Sequence, residues 1–183
     1  MSVSDATSQD AVQLLTADHA EVETMFVQVE DGPGATDDLV QAIVRELSVH
    51  AAIEEQILYP AMRKSLPDGE TLVQEAIDEH QQVKETLAAI EDAGSPAERA
   101  PLLRDLIDEV RHHVDEEETE LFPKLRASIG SVELREMGGK LAAAKKLAPT
   151  HPHPKAPNTP PGNLVGGIAA GLADKVRDAV GRD

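Results

Sequence analysis

Apolar positions recur every three or four residues along most of the chain, the spacing of one face of an α-helix. Four such segments stand out, each closed by turn residues. The first covers about 10–30 and ends at Asp31-Gly-Pro-Gly34. The second, about 36–66, is opened by Thr36, Asp37 and Asp38 as N-cap residues and closed by Pro67-Asp-Gly69. The third covers about 70–92 and stops at Gly94-Ser-Pro96, and the fourth covers about 96–130. A shorter fifth helix is predicted over 132–147. Connections this short make successive helices antiparallel neighbours. The pattern predicts an all-α protein: an up-down-up-down four-helix bundle with a short fifth helix and an extended C-terminal tail. Pro60 and Pro123 fall late in the second and fourth helices, where each should kink its helix or end it locally.

The apolar seams contain polar residues. The first reads Val12, Leu15, His19, Val22, Phe26, Val29; the third reads Val73, Ala76, His80, Val83, Leu87, Ile90. The second reads Leu39 (or Val40), Ile43, Leu47, His50, Glu54, Ile57, and the fourth Leu103, Leu106, Val110, His113, Glu117, Leu121. Every helix thus points a histidine into the core, and two also point a glutamate there. The second and fourth helices carry the same ungapped string, His-x-x-x-Glu-Glu-x-x-Leu-aromatic-Pro, at His50–Pro60 and His113–Pro123. Asp18-His19 and Glu79-His80 match in the helices before them. The bundle therefore reads as two copies of one helical hairpin, occupying 8–147. The remainder, 148–183, changes composition: a Pro-rich linker to about residue 162 precedes a weak, glycine-containing helix over 164–180.

Composition narrows the chemistry. The 183 residues include one Tyr, two Phe and no Trp, too few aromatics for a large β-sandwich or barrel. With no cysteine, disulfides, iron–sulfur clusters and thiol catalysis are excluded. A net charge of −17 points away from nucleic acid and anionic membrane surfaces. The N-terminal stretch has no signal-peptide pattern and no apolar run reaches membrane-spanning length, so a cytoplasmic location is expected.

Four histidines and two glutamates at one level of a bundle core need an explanation. Burying even one uncompensated carboxylate costs several kcal/mol. Metal ions remove the conflict, because imidazole and carboxylate become ligands. The sulfur-free donor set suits iron, with zinc and manganese left open by affinity alone. Two bridging glutamates, four histidines and a bridging oxo or hydroxo group would give about five bonds to each of two ions.

Asp18-His19, the paired His-x-x-x-Glu-Glu-x-x-Leu-(Tyr/Phe)-Pro segments and Glu79-His80 resemble the hemerythrin-like family of His-His-Glu cation-binding domains. The resemblance covers about residues 10–128, and the Pro-rich tail resembles that of actinobacterial members. It implies a non-haem, oxo- or hydroxo-bridged pair of iron ions that reacts with dioxygen, nitric oxide or peroxide. Carried over, His19, His50, Glu54, His80, His113 and Glu117 are the iron ligands. Respiratory members place a second histidine one turn along the third helix, where this chain has Lys84 after His80 and Ala76 before it. That departure points to reactivity rather than oxygen transport. The expected function is binding or turnover of a small oxidant, with catalase- or peroxidase-like activity in view. The alternative is an oxygen-, nitric oxide- or iron-sensing or iron-binding module without turnover, in which sensing would need a separate protein partner. A ferritin-like site is disfavoured, because Glu-x-x-His occurs once, at Glu109–His112.

Several residues remain beside this set. Glu23, four after His19, is a candidate seventh ligand. Tyr59 is a candidate for the edge of the site, with packing under Pro60 the expected role. Glu55 and Glu118 turn off the ligand face toward the rim, with hydrogen bonds to the ligating histidines as the alternative. His112 is placed on the surface or beside the site, and His151 and His153 of the linker carry no fixed site.

Overall fold

Asp10 opens α1 (Ala11–Asp31): its carboxylate accepts from the Gln13 backbone N–H while the Gln13 side chain reciprocates, a full capping box. The Thr36 hydroxyl accepts from the Leu39 N–H and starts α2 (Asp37–Ile53), as expected from the Thr-Asp-Asp signal. The computed structural model describes residues 9–32, 35–159 and 162–180. Ser8, where the bundle was expected to begin, and the signal-free start of the chain lie outside those residues. So do Pro33 and Gly34 of the first turn.

Each proline follows a local break in its α-helix without stopping the helical run. After α2 the backbone passes through one π turn, Glu54–Leu58, in which the Tyr59 N–H reaches the Glu54 carbonyl, and then continues as α3 (Tyr59–Ser65). The second hairpin repeats this device. Helices α4 (Gly69–Asp92) and α5 (Pro96–Glu116) are followed by a π turn at Glu117–Leu121 and by α6 (Phe122–Ser128). A proline ring collides with the carbonyl four residues back, and the wider π turn removes the collision. Pro60 and Pro123 then occupy the first turn of a new helix, where a missing N–H leaves nothing unpaired.

The fifth helix, α7 (Ser131–Lys145), lies across α1 and α2. Gly138 permits the approach: a Cβ there would run into the Gln9 carbonyl and the Asp10 backbone. Helix α8 (Gly162–Val180) is formed, and the segment 149–159 leading to it runs over the bundle. The described residues contain no strand, and no described helix is long and apolar enough to cross a membrane. The expected all-helical bundle is present.

The core is divided in two. One apolar cluster, with Leu15, Ile53, Met62, Val73, Leu125 and Leu141, joins the start of α1 to the end of α2, the π turns, α3, the start of α4, α6 and α7. The other, with Phe26, Ile43, Leu87 and Leu106, joins the far half of α1 to α2, α4 and α5. Between them lies a polar layer.

Candidate metal centre

That layer holds the six residues of the seams. His19, His50, His80 and His113 are buried, and Glu54 and Glu117 are each 0% exposed. Helix α1 supplies His19, α2 His50, α4 His80 and α5 His113, while both glutamates open the π turns. His19 Nε2 and His50 Nε2 lie 3.1 Å apart, and His80 Nε2 and His113 Nε2 3.0 Å apart. Two nitrogens bound to one ion at about 2.0–2.1 Å, roughly at right angles, have that separation.

Each glutamate reaches both pairs. Glu54 Oε2 is 3.1 Å from His50 Nε2 and 3.4 Å from His80 Nε2. Glu117 sets Oε2 3.4 Å from His19 Nε2 and Oε1 3.5 Å from His113 Nε2. Both oxygens of Glu54 and Oε2 of Glu117 are buried without a hydrogen bond. Orphaned carboxylate oxygens cost free energy inside a core, and bound cations would satisfy them. Donor atoms of His19, His50, Glu54 and Glu117 lie within 4.8 Å of one another, as do those of Glu54, His80 and His113. The donor set fits two cations with shared carboxylates.

The outer nitrogens are oriented by carboxylates. His19 Nδ1 lies 2.8 Å from Glu118, His80 Nδ1 3.1 Å from Glu55 and His113 Nδ1 2.7 Å from Glu79. Asp18 stands farther, 3.7 Å from His50 Nδ1. A carboxylate on Nδ1 fixes the proton there and leaves Nε2 free to face a metal. Burial alone would lower the His50 and His80 pKa values, but the surrounding carboxylates reverse that. Glu54, Asp18 and Glu117 hold His50 up to about 10, and Glu54 with Glu55 hold His80 up to about 9. Burial pushes the other way on Glu54, yet the charge of His50 keeps its carboxyl well below the usual range. The layer thus concentrates negative charge and draws protons or cations to itself.

Tyr59 enters this layer. Its hydroxyl donates to Glu117 Oε1 at 3.1 Å and lies 3.0 Å from His80 Nε2, instead of packing only under Pro60. On an uninterrupted α-helix Tyr59 would stand about 140° from Glu54; the π turn brings both to one side. Burial, reinforced by the charge of Glu117, raises the phenol well above its ordinary value, so it keeps its proton. Phe122 holds the matching position in the second hairpin and stacks on His19, with centroids 5.8 Å apart and planes 6° from parallel.

Glu23 does not join the cluster. Arg111 takes both of its oxygens, at 2.7 and 3.0 Å, and holds them at the surface. The seventh polar side chain at the centre is Tyr59. Glu55 is buried rather than at the rim, only 3% exposed, and takes the expected alternative of a hydrogen bond to His80. Lys84 donates to both Glu55 oxygens, at 2.6 and 2.9 Å, and also to Asn158 Oδ1 at 2.9 Å. Lys84, one turn after His80, is thus a cation that neutralises that histidine's partner. Glu118 is at the rim as expected. His112 is exposed, and the linker histidines pair with carboxylates: His151 with Glu91 and Asp178, His153 with Asp174 at 3.0 Å.

Comparison with known proteins agrees with this architecture. Residues 10–125 match the model of the Hemerythrin HHE cation binding domain. An uncharacterized hemerythrin-like protein of Schizosaccharomyces pombe is 36% identical over 137 residues, covering 74% of this chain and 68% of that protein. A DNA nickase of Nostoc is 31% identical over 144 residues, covering 77% of this chain but 40% of the nickase. A solved hemerythrin HHE cation binding domain-containing protein from Mycobacterium kansasii, a Rv2633c homolog, shares the fold with a TM-score of 0.64. It is 24% identical over 75% of this chain and 86% of its own. With the family match spanning the whole histidine and glutamate layer, this chain belongs to the hemerythrin HHE cation-binding domain family, and its bundle is a cation-binding module.

Proposed function

We propose that this chain is a non-haem diiron protein that binds and turns over a small oxidant: hydrogen peroxide, dioxygen or nitric oxide. The observation that carries this reading is the pairing of an orphaned donor layer with a very small pocket. Beside the four histidines lies a cavity of about 20 Å³, walled by Val22, Leu47, Ala51, Val83, Val110 and Val114. A space of that size admits about one water-sized or diatomic molecule and excludes organic substrates.

His19 and His50 would hold one ion and His80 and His113 the other, with Glu54 and Glu117 shared between them. Iron in such a site supplies redox equivalents and binding positions for a peroxide or diatomic ligand. The protein's part is orientation and protonation. Glu118, Glu55 and Glu79 lock three imidazoles in place, the valines keep bulk water away, and Tyr59 holds a proton at its Oη beside Glu117. A sensing role is the second reading, favoured by the continuous path from His80 through Glu55 and Lys84 to Asn158 in the tail-proximal segment. The nicking activity in the Nostoc relative's name is not carried over: most of that protein lies outside the match, and a net charge of −17 offers no basic footprint. We place the protein in the cytoplasm without a membrane partner.

Purification from iron-replete cells tests the reading. The expected result is two irons per chain with near-ultraviolet oxo-to-iron absorption, both lost in His50→Ala and His113→Ala, and gas release on adding hydrogen peroxide. Iron-loaded protein that leaves peroxide, dioxygen and nitric oxide untouched would favour a module without turnover. Carefully prepared protein that binds no metal would sink the proposal.

A further inference from the structure

The two hairpins differ most in a groove that one fills and the other leaves open. On the first hairpin, Leu14 and Asp18 of α1 face Ile53 and Ile57, and α7 packs into the space with Leu134, Met137 and Leu141. Lys145 of α7 takes Asp18 at 2.6 Å. The repeat carries those four positions onto Glu75, Glu79, Glu116 and Glu120 of the second hairpin. No described helix covers them. A cleft of about 120 Å³ remains, without Lys or Arg in its lining, and His113 and Glu117 form part of its wall.

Two observations tie this cleft to a cation rather than to a solvated acidic surface. Glu117, 0% exposed, lines the same cleft as the surface acids and turns its unpaired Oε2 inward, 3.4 Å from His19 Nε2, so the cleft ends on a donor of the metal centre. Glu79 also serves both levels. Its Oε2 holds His113 Nδ1 at 2.7 Å, while Oε1 lies 3.6 Å from His112 Nε2, which stands 3.4 Å from Glu116 Oε1. Donor atoms of Glu79, His112 and Glu116 fall within 4.8 Å of one another. Lys124 stands 3.8 Å from Glu120 but is engaged by Asp68 at 3.1 Å, at the outer lip.

We propose that this cleft is the route by which a divalent cation enters the centre, with Glu79 and Glu116 of its lining and the neighbouring exposed His112 as the first binding site. The proposal rests on the metal-centre reading above. Carboxylates converging on a narrow cleft raise the local cation concentration and speed entry. Two carboxylates and one imidazole bind a first-row divalent ion weakly enough to pass it on to the four-histidine layer. The matching groove of the first hairpin is closed by α7 and neutralised by Lys145, so loading has one side.

Cobalt(II) chloride alone, added to the metal-free full-length chain, is the probe, followed by its visible absorption in stopped flow. Glu75→Gln/Glu116→Gln removes two charges from opposite walls without touching a ligand ring. It should load roughly tenfold more slowly, reach the same final spectrum and stoichiometry, and lose most of the parent's acceleration at low salt. Glu133→Gln/Glu136→Gln, on exposed positions of α7, makes the same charge change and should load within about twofold of the parent. A cleft variant that loads at the control's rate, or a control slowed as much as the cleft variant, overturns the route while leaving the centre standing. A parent chain that takes up no cobalt overturns the centre and the route together.

Discussion

The two helical hairpins supply the same donors to one centre and surround them differently. Each gives two histidines and one glutamate, with a π turn beginning at that glutamate. Around the first hairpin, α7 fills the outer groove, and the segment 149–159 with α8 lies against Ser48 and Ala52 of α2 and reaches over to Lys84 of α4. Around the second, the matching groove is open and acidic. At the matched aromatic positions the hydroxyl of Tyr59 reaches the second hairpin's Glu117, whereas Phe122 lies flat on His19. Duplication accounts for the donor layer. Divergence of the surroundings accounts for access, proton supply and cover.

The largest expected effect breaks the notion that each hairpin holds an ion of its own. Because Glu54 and Glu117 each reach both histidine pairs, Glu54→Ala or Glu117→Ala should cost both metals more than 100-fold in affinity, beyond the roughly 10–100-fold typical of outer-layer partners. Metal content per chain checks it. A Glu117→Ala protein that still carries one tightly bound ion would show that the hairpins act separately.

The next effect sharpens the comparison at its one chemical asymmetry. Tyr59→Phe makes the two aromatic positions alike and leaves Glu117 Oε1 without its donor. Losing a hydrogen bond to a buried carboxylate costs about 1.5–3 kcal/mol, so peroxide turnover by loaded protein should fall about tenfold or more while metal content stays near two per chain. Phe122→Tyr offers a hydroxyl on the other side; it should not rescue Tyr59→Phe, because Phe122 stacks on His19 instead of facing a free carboxylate oxygen. Full turnover in Tyr59→Phe would assign the phenol to packing alone.

What could be foreseen differs between these features for physical reasons. The donor layer was legible because His19, His50, His80 and His113 interrupt otherwise apolar seams at matching heights, and the Glu at i+4 follows from helical spacing alone. Tyr59 was legible only as a candidate for the edge, because 3.6-residue periodicity places it off the face, and the π turn before Pro60 returns it. Glu23 satisfied the same i+4 rule and still failed to join, since Arg111, distant in sequence, captures it. The burial of Glu55 depends in the same way on Lys84. The open cleft did carry a sequence signal: Leu14, Ile53 and Ile57 in one repeat face Glu75, Glu116 and Glu120 in the other, a contrast visible once the copies are aligned.

A smaller effect tests the cover. Lys84→Met removes the charge that holds Glu55 against His80 and the donor that fastens Asn158. Loss of an outer-layer partner should speed release of metal from the second histidine pair to a chelator by roughly tenfold. Glu118 has no matching lysine, since Glu23 occupies that position in the repeat, so Glu23→Lys should change release little. Equal effects of the two substitutions would erase the distinction between the covered and uncovered outer layers.

The smallest effect lies where the cover meets the bundle. His151 sits between Glu91 of α4 and Asp178 of α8, with Arg177 nearby and Arg45 of α2 3.5 Å from Asp178. Burial lowers the imidazole, but Glu91 and Asp178 raise it further, so its folded pKa stands above the ordinary 6.5. Asp178 is opposed by burial yet ends below its ordinary 3.8 through His151 and Thr150. A raised histidine stabilises docking fully below its unfolded pKa and loses that contribution as pH rises through the folded one; a lowered aspartate contributes above its unfolded pKa and is lost on acidification. Docking should thus be tightest between about pH 4 and 6.5 and weaken on the alkaline side. Proteinase K, corrected for its own pH response, should cut within 149–159 about two- to threefold faster at pH 9 than at pH 6. In His151→Asn that difference should vanish. Cleavage that slows toward alkaline pH would show that another contact, and not this histidine, fastens the segment to the bundle.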